Sequence, residues 1–462
     1  MVEKHKRLYK YLWVMLGSIL IFLAWLEGYY INSVTFIGIL ILILLICNII
    51  LGYFLQRSER YLRIITVSSS SIAILFEIIW LAMNWYPAFV IAQILTIAIG
   101  FYCFYAGGKF SERYSNQGRS STGFKIALRL IKSIAIVVVS LVSLVVIVNS
   151  ISPNPLLRYI QGQTGDGNSY DAPATEQTVH DNGHSSVNDI KYSTEYPNSY
   201  LDVHIANGDM SSERPTYFYV HGGGWTKGDK YNVDHDYYKN ILEAGYNIVS
   251  INYALSPEYN YPTPLIQLTQ AVLFMKEHGD EYGIDMSQVI FAGGSAGGQI
   301  VGQFVNIQTN EDYAEEMGMN PVISSDYIKA TVLDSAALDP ERMNKTKSPS
   351  PHYDWAFFQF ARSHFSISSL VHDTGENAKQ GNVITHVTEN FPPTFIADGN
   401  TATFLDQAKD LAEKLNNLGV PNYLYLIDKD KATLGHVFMG SDSKYTLDYT
   451  RKKIAFLNDI FN

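Results

Sequence analysis

Hydrophobic positions fall into two regimes along the 462 residues. Up to about residue 150 they run almost unbroken in five stretches, approximately 11–27, 31–55, 64–84, 86–106 and 133–150. A helix that crosses a bilayer needs about 20 such residues. Each stretch is therefore expected to span a membrane, since a cleaved leader would account for only one of them. From about residue 186 the pattern changes, and short apolar runs alternate with amphipathic stretches. Strands are expected at 187–192, 200–205, 216–220, 247–252, 288–292, 329–334, 393–397 and 422–427, and helices near 234–244, 264–278, 296–308, 403–418 and 446–460. This alternation predicts an α/β fold with a mostly parallel sheet covered on both faces.

Between the two regimes, residues 151–185 are rich in Gly, Asn, Asp, Ser, Pro and Thr and read as a flexible, exposed tether. The expected organisation is an all-α, five-helix transmembrane bundle over 1–150, a linker over 151–185, and an α/β domain over 186–462. His180 and His184 fall in the tether. Their spacing suits a metal only on a helix, and Asp181-Asn182-Gly183 breaks one, so they are expected to be solvated.

Charge refines this picture. The first 150 residues carry 13 Lys and Arg against 5 Asp and Glu, and the remainder carries 21 against 39. An acidic second half argues against nucleic acid as a partner. The basic residues of the first half cluster at Lys4, Lys6, Arg7 and Lys10, at Arg57, Arg60 and Arg63, and at Lys109, Arg113, Arg119, Lys125, Arg129 and Lys132. The connections around Glu27-Gly28 and Asn84-Trp85-Tyr86-Pro87 have no Lys or Arg. Basic residues favour the cytoplasmic side. The N-terminal end is therefore expected inside, and five crossings put everything after residue 150 outside the cytoplasm, at the cell membrane.

Glu77 interrupts the third span, where a charge is costly and often functional. Its expected role is structural, bonded within the bundle to a serine such as Ser68–Ser71. Cys47 and Cys103 are the only cysteines, and both lie in apolar spans. The second half therefore has no disulfide or thiolate metal site.

The candidate chemistry lies in the second half. Gly293-Gly294-Ser295-Ala296-Gly297 follows the apolar run Gln288–Ala292 and precedes a helical stretch. A serine on a tight strand-to-helix turn is presented as a nucleophile, and the flanking glycines let neighbouring chain pack close. About 70 residues earlier, His221-Gly222-Gly223-Gly224-Trp225 follows its own strand, and its unhindered backbone N–H groups suit a developing oxyanion. His436, in a loop after the last strand, stands in the chain order expected of a general base.

Together HGGGW and GGSAGG resemble the acetyl esterase/lipase branch of the α/β-hydrolases, close to hormone-sensitive-lipase-like and feruloyl-esterase-like enzymes. Tyr253-Ala254-Leu255-Ser256-Pro257-Glu258, Tyr261-Pro262 and Pro392-Pro393-Thr394-Phe395-Ile396 add to the likeness, which covers roughly 187–462 and none of the apolar half. The resemblance implies oxyanion donors at Gly223, Gly224 and Ala296, with His221 shaping that loop. It also implies a triad acid in G-x-x-D-P-L, but here Ala402 occupies that slot. Asp398 at the strand end, or Asp406, Asp334 or Asp339, are the alternatives, and a chain with no acid remains a further one.

The aromatic insertion between Leu338 and Phe391, with Tyr353, Trp355, Phe357, Phe358, Phe360 and Phe365, suits either a pocket wall over Ser295 or ordinary packing. Val383-Ile384-Thr385-His386 within it reads as strand-like. The expectation is a membrane-anchored serine esterase or deacylase acting without metal or organic cofactor. Its substrate would be a small acyl ester or an acylated surface polymer. A weak or inactive hydrolase-like sensor with a functional bundle, or transfer to an acceptor other than water, are the alternatives.

Overall fold

The computed structural model describes residues 2–29, 34–55, 60–83, 86–112, 122–170, 172, 175–179, 184–206, 214–230, 235–343, 351–367 and 375–461. Arg57, Asn84, Trp85, Arg113, Arg119 and His180, used above, lie outside these residues, as do Asp181-Asn182-Gly183. The chain divides into two compact units, the described residues up to Pro155 and those from Leu156 onward.

The first unit holds helices α1 (Val2–Tyr29), α2 (Val34–Leu55), α3 (Arg60–Met83), α4 (Tyr86–Glu112) and α5 (Thr122–Ile151). Four of them carry segments long and apolar enough to cross a membrane: Thr35–Tyr53, Arg60–Met83, Tyr86–Tyr105 and Leu130–Ile151. The apolar part of α1, Tyr11–Glu27, is shorter. Of the five spans expected from hydropathy, four are thus clear candidates and the first is a shorter apolar segment.

Two buried polar side chains of this unit pair across helices, which lowers the cost of placing them in an apolar interior. Asn48 Nδ2 donates to Ser70 Oγ at 3.0 Å, and Gln93 Nε2 to the Ala24 carbonyl at 2.9 Å. Glu77 is buried beside Glu27 rather than bonded to a serine. A Cβ at Gly38 would come within 2.6 Å of the Glu77 Oε1, so the glycine makes room for the carboxyl group.

The second unit opens with α6 (Asn154–Thr164), so the first part of the expected tether is folded. Strands β1 (Glu176–Val179), β2 (Ser185–Lys191), β3 (Tyr200–Ile205) and β4 (Pro215–Val220) follow, then α7 (His235–Glu243), β5 (Asn247–Ile251), α8 (Thr263–His278), β6 (Asp285–Gly294), α9 (Ala296–Thr309) and α10 (Glu311–Met317). The chain continues with β7 (Ile328–Asp334), α11 (Pro351–Phe365), α12 (Glu376–Gln380), α13 (Val383–His386), β8 (Thr394–Ala397), α14 (Leu405–Asn417), β9 (Asn422–Tyr425) and α15 (Lys444–Phe461). Residues 383–386 are therefore a short helix, not a strand. Asn382 caps it by accepting from the N–H groups of Ile384 and Thr385.

The strands form one sheet in the order β1-β2-β3-β5-β4-β6-β7-β8-β9. Its first three pairings are antiparallel, and all those from β5 to β9 are parallel. Successive residues of the central strands alternate between two cores. Phe218, Val220, Phe291, Leu333 and Ile396 enter one face, and Tyr217, Tyr219, Ile290, Ala292, Val332 and Phe395 the other. Burial on both faces explains why these strands read as continuous apolar runs. It also puts the carboxyl ends of β4, β6, β7 and β8 side by side, where open α/β sheets place ligands.

Candidate active site

Ser295 directly follows Gly294, the last residue of β6, and Ala296 begins α9. The serine backbone sits at φ 52°, ψ −117°, a conformation that non-glycine residues rarely adopt. It is held there from both sides. The Ser295 N–H donates to the Asp334 carbonyl at 2.8 Å, and the Ala337 N–H donates to the Ser295 carbonyl at 3.1 Å. The turn is also too tight for a side chain two residues later, since a Cβ at Gly297 would lie 2.1 Å from the Val220 carbonyl oxygen. Glycine there is a steric requirement. Every residue of α9 is buried, which anchors the elbow in the core.

His436, in the loop after β9, reaches the serine, and its Nε2 lies 2.9 Å from Ser295 Oγ. Its loop is stapled to the segment after β8. The Asn400 Nδ2 donates to the Ile427 and Ala432 carbonyls, and the Leu434 N–H donates to Asn400 Oδ1. A Cβ at Gly399 would meet the Gly435 carbonyl oxygen at 2.3 Å, so only glycine lets the two loops come this close. The imidazole is partly buried between aromatic rings, with Phe357 at 4.9 Å and Phe404 at 5.2 Å, both edge-on. Burial pushes its pKa down to about 4, which keeps the ring neutral and able to accept a proton at ordinary pH.

The Nδ1 of His436 does not meet a carboxylate. It lies 3.0 Å from Thr403 Oγ1, and Thr403 donates to Asp398 Oδ1 at 2.5 Å. Asp398 is buried at the end of β8 and also accepts from the Gly399 N–H at 2.7 Å. Desolvation pushes its pKa up to about 7, against the contrary pull of Ser335, Thr403 and Gly399. The other acids considered from sequence are engaged elsewhere. Asp406 and Asp339 pair with Arg342. Asp334 accepts from the hydroxyls of Tyr237 and Tyr449.

Gly222, Gly223 and Gly224 line one cavity of about 980 Å³ with Ser295 and His436. His221 lies beneath this loop, stacked on Tyr253 at 4.3 Å, and burial lowers its pKa to about 4. The Tyr253 hydroxyl donates to the His221 carbonyl at 3.0 Å, so the first tyrosine of the YALSPE segment supports the glycine loop. The aromatic insertion divides its labour. Tyr353, Phe357 and Phe360 face the cavity, while Phe365 packs edge-on against Trp225 in the core.

Three contributors escaped sequence reasoning. Thr403 adjoins the vacant acid slot at Ala402 but has no motif of its own. Gln161 and Asp166 lie in the supposed tether. Gln161 Nε2 donates to the carbonyls of Thr226 and of Ser256, the latter at 2.7 Å, and Asp166 Oδ1 accepts from the Gly228 N–H. Thr164 and Asp166 line the cavity. The one legible signal was the helix-compatible run Leu156–Gln163 at the start of the tether.

A serine elbow between β6 and α9, a glycine loop after β4 and a histidine after β9, on a mostly parallel sheet, define the α/β-hydrolase fold. Comparison with known proteins agrees. Residues 201–415 match the BD-FAE family model. An α/β hydrolase of Acanthamoeba polyphaga mimivirus, R526, is 23% identical over 216 residues, covering 45% of this chain and 57% of that protein. The esterase LipI of Mycobacterium tuberculosis is 32% identical over 112 residues, covering 24% of this chain and 33% of that protein. The chain thus spans little more than half, or less, of the length of these relatives. The crystal structure of inhibited esterase B from Lactobacillus rhamnosis superposes with a TM-score of 0.53 at 17% identity, covering 67% of this chain and 96% of that one.

Proposed function

We propose that this chain is a membrane-anchored serine esterase that hydrolyses short acyl esters outside the cytoplasm. One observation carries the proposal: Ser295 Oγ lies 2.9 Å from His436 Nε2, in a cavity shared with the glycine loop. In this reading His436 takes the Ser295 proton as the oxygen attacks the ester carbonyl. The N–H groups of Gly223, Gly224 and Ala296 receive the oxyanion. Collapse expels the alcohol, which takes the proton from His436, and water then resolves the acyl-serine by the same route.

The apolar cavity wall of Phe357, Phe360 and Met343 suits a short acyl chain. Anchoring is supported by the four long apolar helices and by the 28-residue α1, with the basic clusters orienting the whole. The test is turnover of p-nitrophenyl acetate and butyrate by the full chain in detergent. Hydrolysis that disappears in Ser295→Ala and His436→Ala supports the proposal. Turnover no greater than that of Ser295→Ala, in a folded protein, contradicts it.

A further inference from the structure

The hydrogen bonds around His436 form a continuous chain from Asp398 to Ser295. Once Asp398 has ionised, which burial delays to about pH 7, it can only accept, so the Thr403 hydroxyl then donates to it. That leaves the Thr403 oxygen as an acceptor facing His436 Nδ1, 3.0 Å away, and so Nδ1 carries the ring hydrogen. The opposite nitrogen, Nε2, then has a free lone pair toward Ser295 Oγ at 2.9 Å. Thr403 is fully buried and Asp398 nearly so. The backbone makes the arrangement possible. Ala402 takes a left-handed conformation, φ 53°, and turns Thr403 in toward the imidazole.

We infer that Thr403 is a positioning residue that joins the displaced acid Asp398 to the base His436, so the charge relay runs Asp398, Thr403, His436, Ser295. The inference rests on the esterase reading of the site. When Ser295 attacks, the Oγ–carbon bond forms and the serine proton moves to Nε2. The Nδ1 hydrogen stays on the ring and the threonine hydrogen stays on its oxygen. The positive imidazolium then faces the threonine oxygen, and the Asp398 carboxylate stabilises it through the polarised hydroxyl. This accounts for a chain with alanine in the usual acid slot: the carboxylate sits four residues earlier, and a hydroxyl spans the gap.

The experiment compares Thr403→Val, Thr403→Ser and Asp398→Asn in the full chain, by kcat/KM for p-nitrophenyl acetate across pH. Removing the acid of a directly bonded triad costs about 10⁴-fold in kcat. A carboxylate acting through a hydroxyl predicts a smaller loss, about 10²–10³-fold for Thr403→Val. Thr403→Ser should restore activity to within about tenfold. The acid limb of the pH profile should move in the valine variant and return in the serine one, which a purely structural role would not produce. Thr403→Val combined with Asp398→Asn should be no worse than the poorer single variant, because both break one chain. Should valine prevent folding, Thr403→Ala removes the hydroxyl without added bulk and is judged by the same limits. A hydroxyl-free variant with wild-type kcat/KM and an unmoved acid limb overturns the relay alone. Absence of Ser295-dependent turnover in the wild-type chain removes the esterase reading itself.

Discussion

Asp166 Oδ1 accepts a hydrogen bond from the Gly228 backbone N–H at 3.1 Å. The contact ties a residue of the supposed tether to the loop that carries Gly223 and Gly224. Gln161 adds a second tie through the Thr226 carbonyl, and Trp225 between them is fully buried. Residues 156–170 therefore brace the glycine loop, and the α/β unit begins well before residue 186. Gln161→Ala and Asp166→Ala should lower kcat for p-nitrophenyl acetate about tenfold each, with a smaller change in KM. An oxyanion donor displaced by a fraction of an ångström loses much of its effect. Rates within twofold of wild type would show that the loop holds its shape without the brace.

Phe357 packs edge-on against His436 and lines the cavity beside Phe360 and Met343. Phe357→Ala should enlarge the acyl end of the cavity and raise the butyrate-to-acetate ratio of kcat/KM several-fold. Measured initial rates on the two p-nitrophenyl esters test this. An unchanged ratio would place the acyl group elsewhere.

What the chain disclosed before its structure follows physical lines. The eight strands expected from apolar runs all form, and five of them, β4 to β8, were plainest because they are buried on both faces. Ser295 was legible because its tight turn demands glycine on either side, and His436 because it follows the last strand in the expected chain order. Asp398 was one of several candidates, since a strand-end carboxylate has no spacing rule of its own. Thr403 was invisible, because a hydroxyl that bridges two side chains leaves no pattern. Residues 156–170 misled for a related reason. Their polar side chains look solvated, yet Gln161 and Asn168 spend their hydrogen bonds on backbone groups of the catalytic unit.

Asp398 also makes a statement about stability. An unfolded aspartate titrates near 3.9, and burial raises the folded value to about 7. The folded state thus binds this proton more tightly than the unfolded one. Its contribution to stability is complete below about pH 4 and is lost as pH rises through about 7. Asp398→Asn, which stays neutral, should gain in Tm over the wild type as pH is raised from 5 to 8, while it loses activity. Thermal melts at both pH values check this. A variant that falls further behind the wild type at pH 8 would mean that the carboxylate is better accommodated than its burial implies.

Location outside the cytoplasm has its own test. Glu243 is exposed at the end of α7, in a surface pair with Lys239 worth little to stability. Glu243→Cys, placed in a chain with Cys47→Ala and Cys103→Ala, should react in intact cells with a maleimide that cannot cross membranes. Labelling only after the cells are broken would reverse the orientation.

The central claim is that Ser295 is an activated nucleophile, and the direct measurement is reaction with a fluorophosphonate followed by peptide mapping. One adduct per chain is expected, on Ser295, and it should disappear in His436→Ala. A folded wild-type chain left unmodified, or one labelled equally with and without His436, would contradict it.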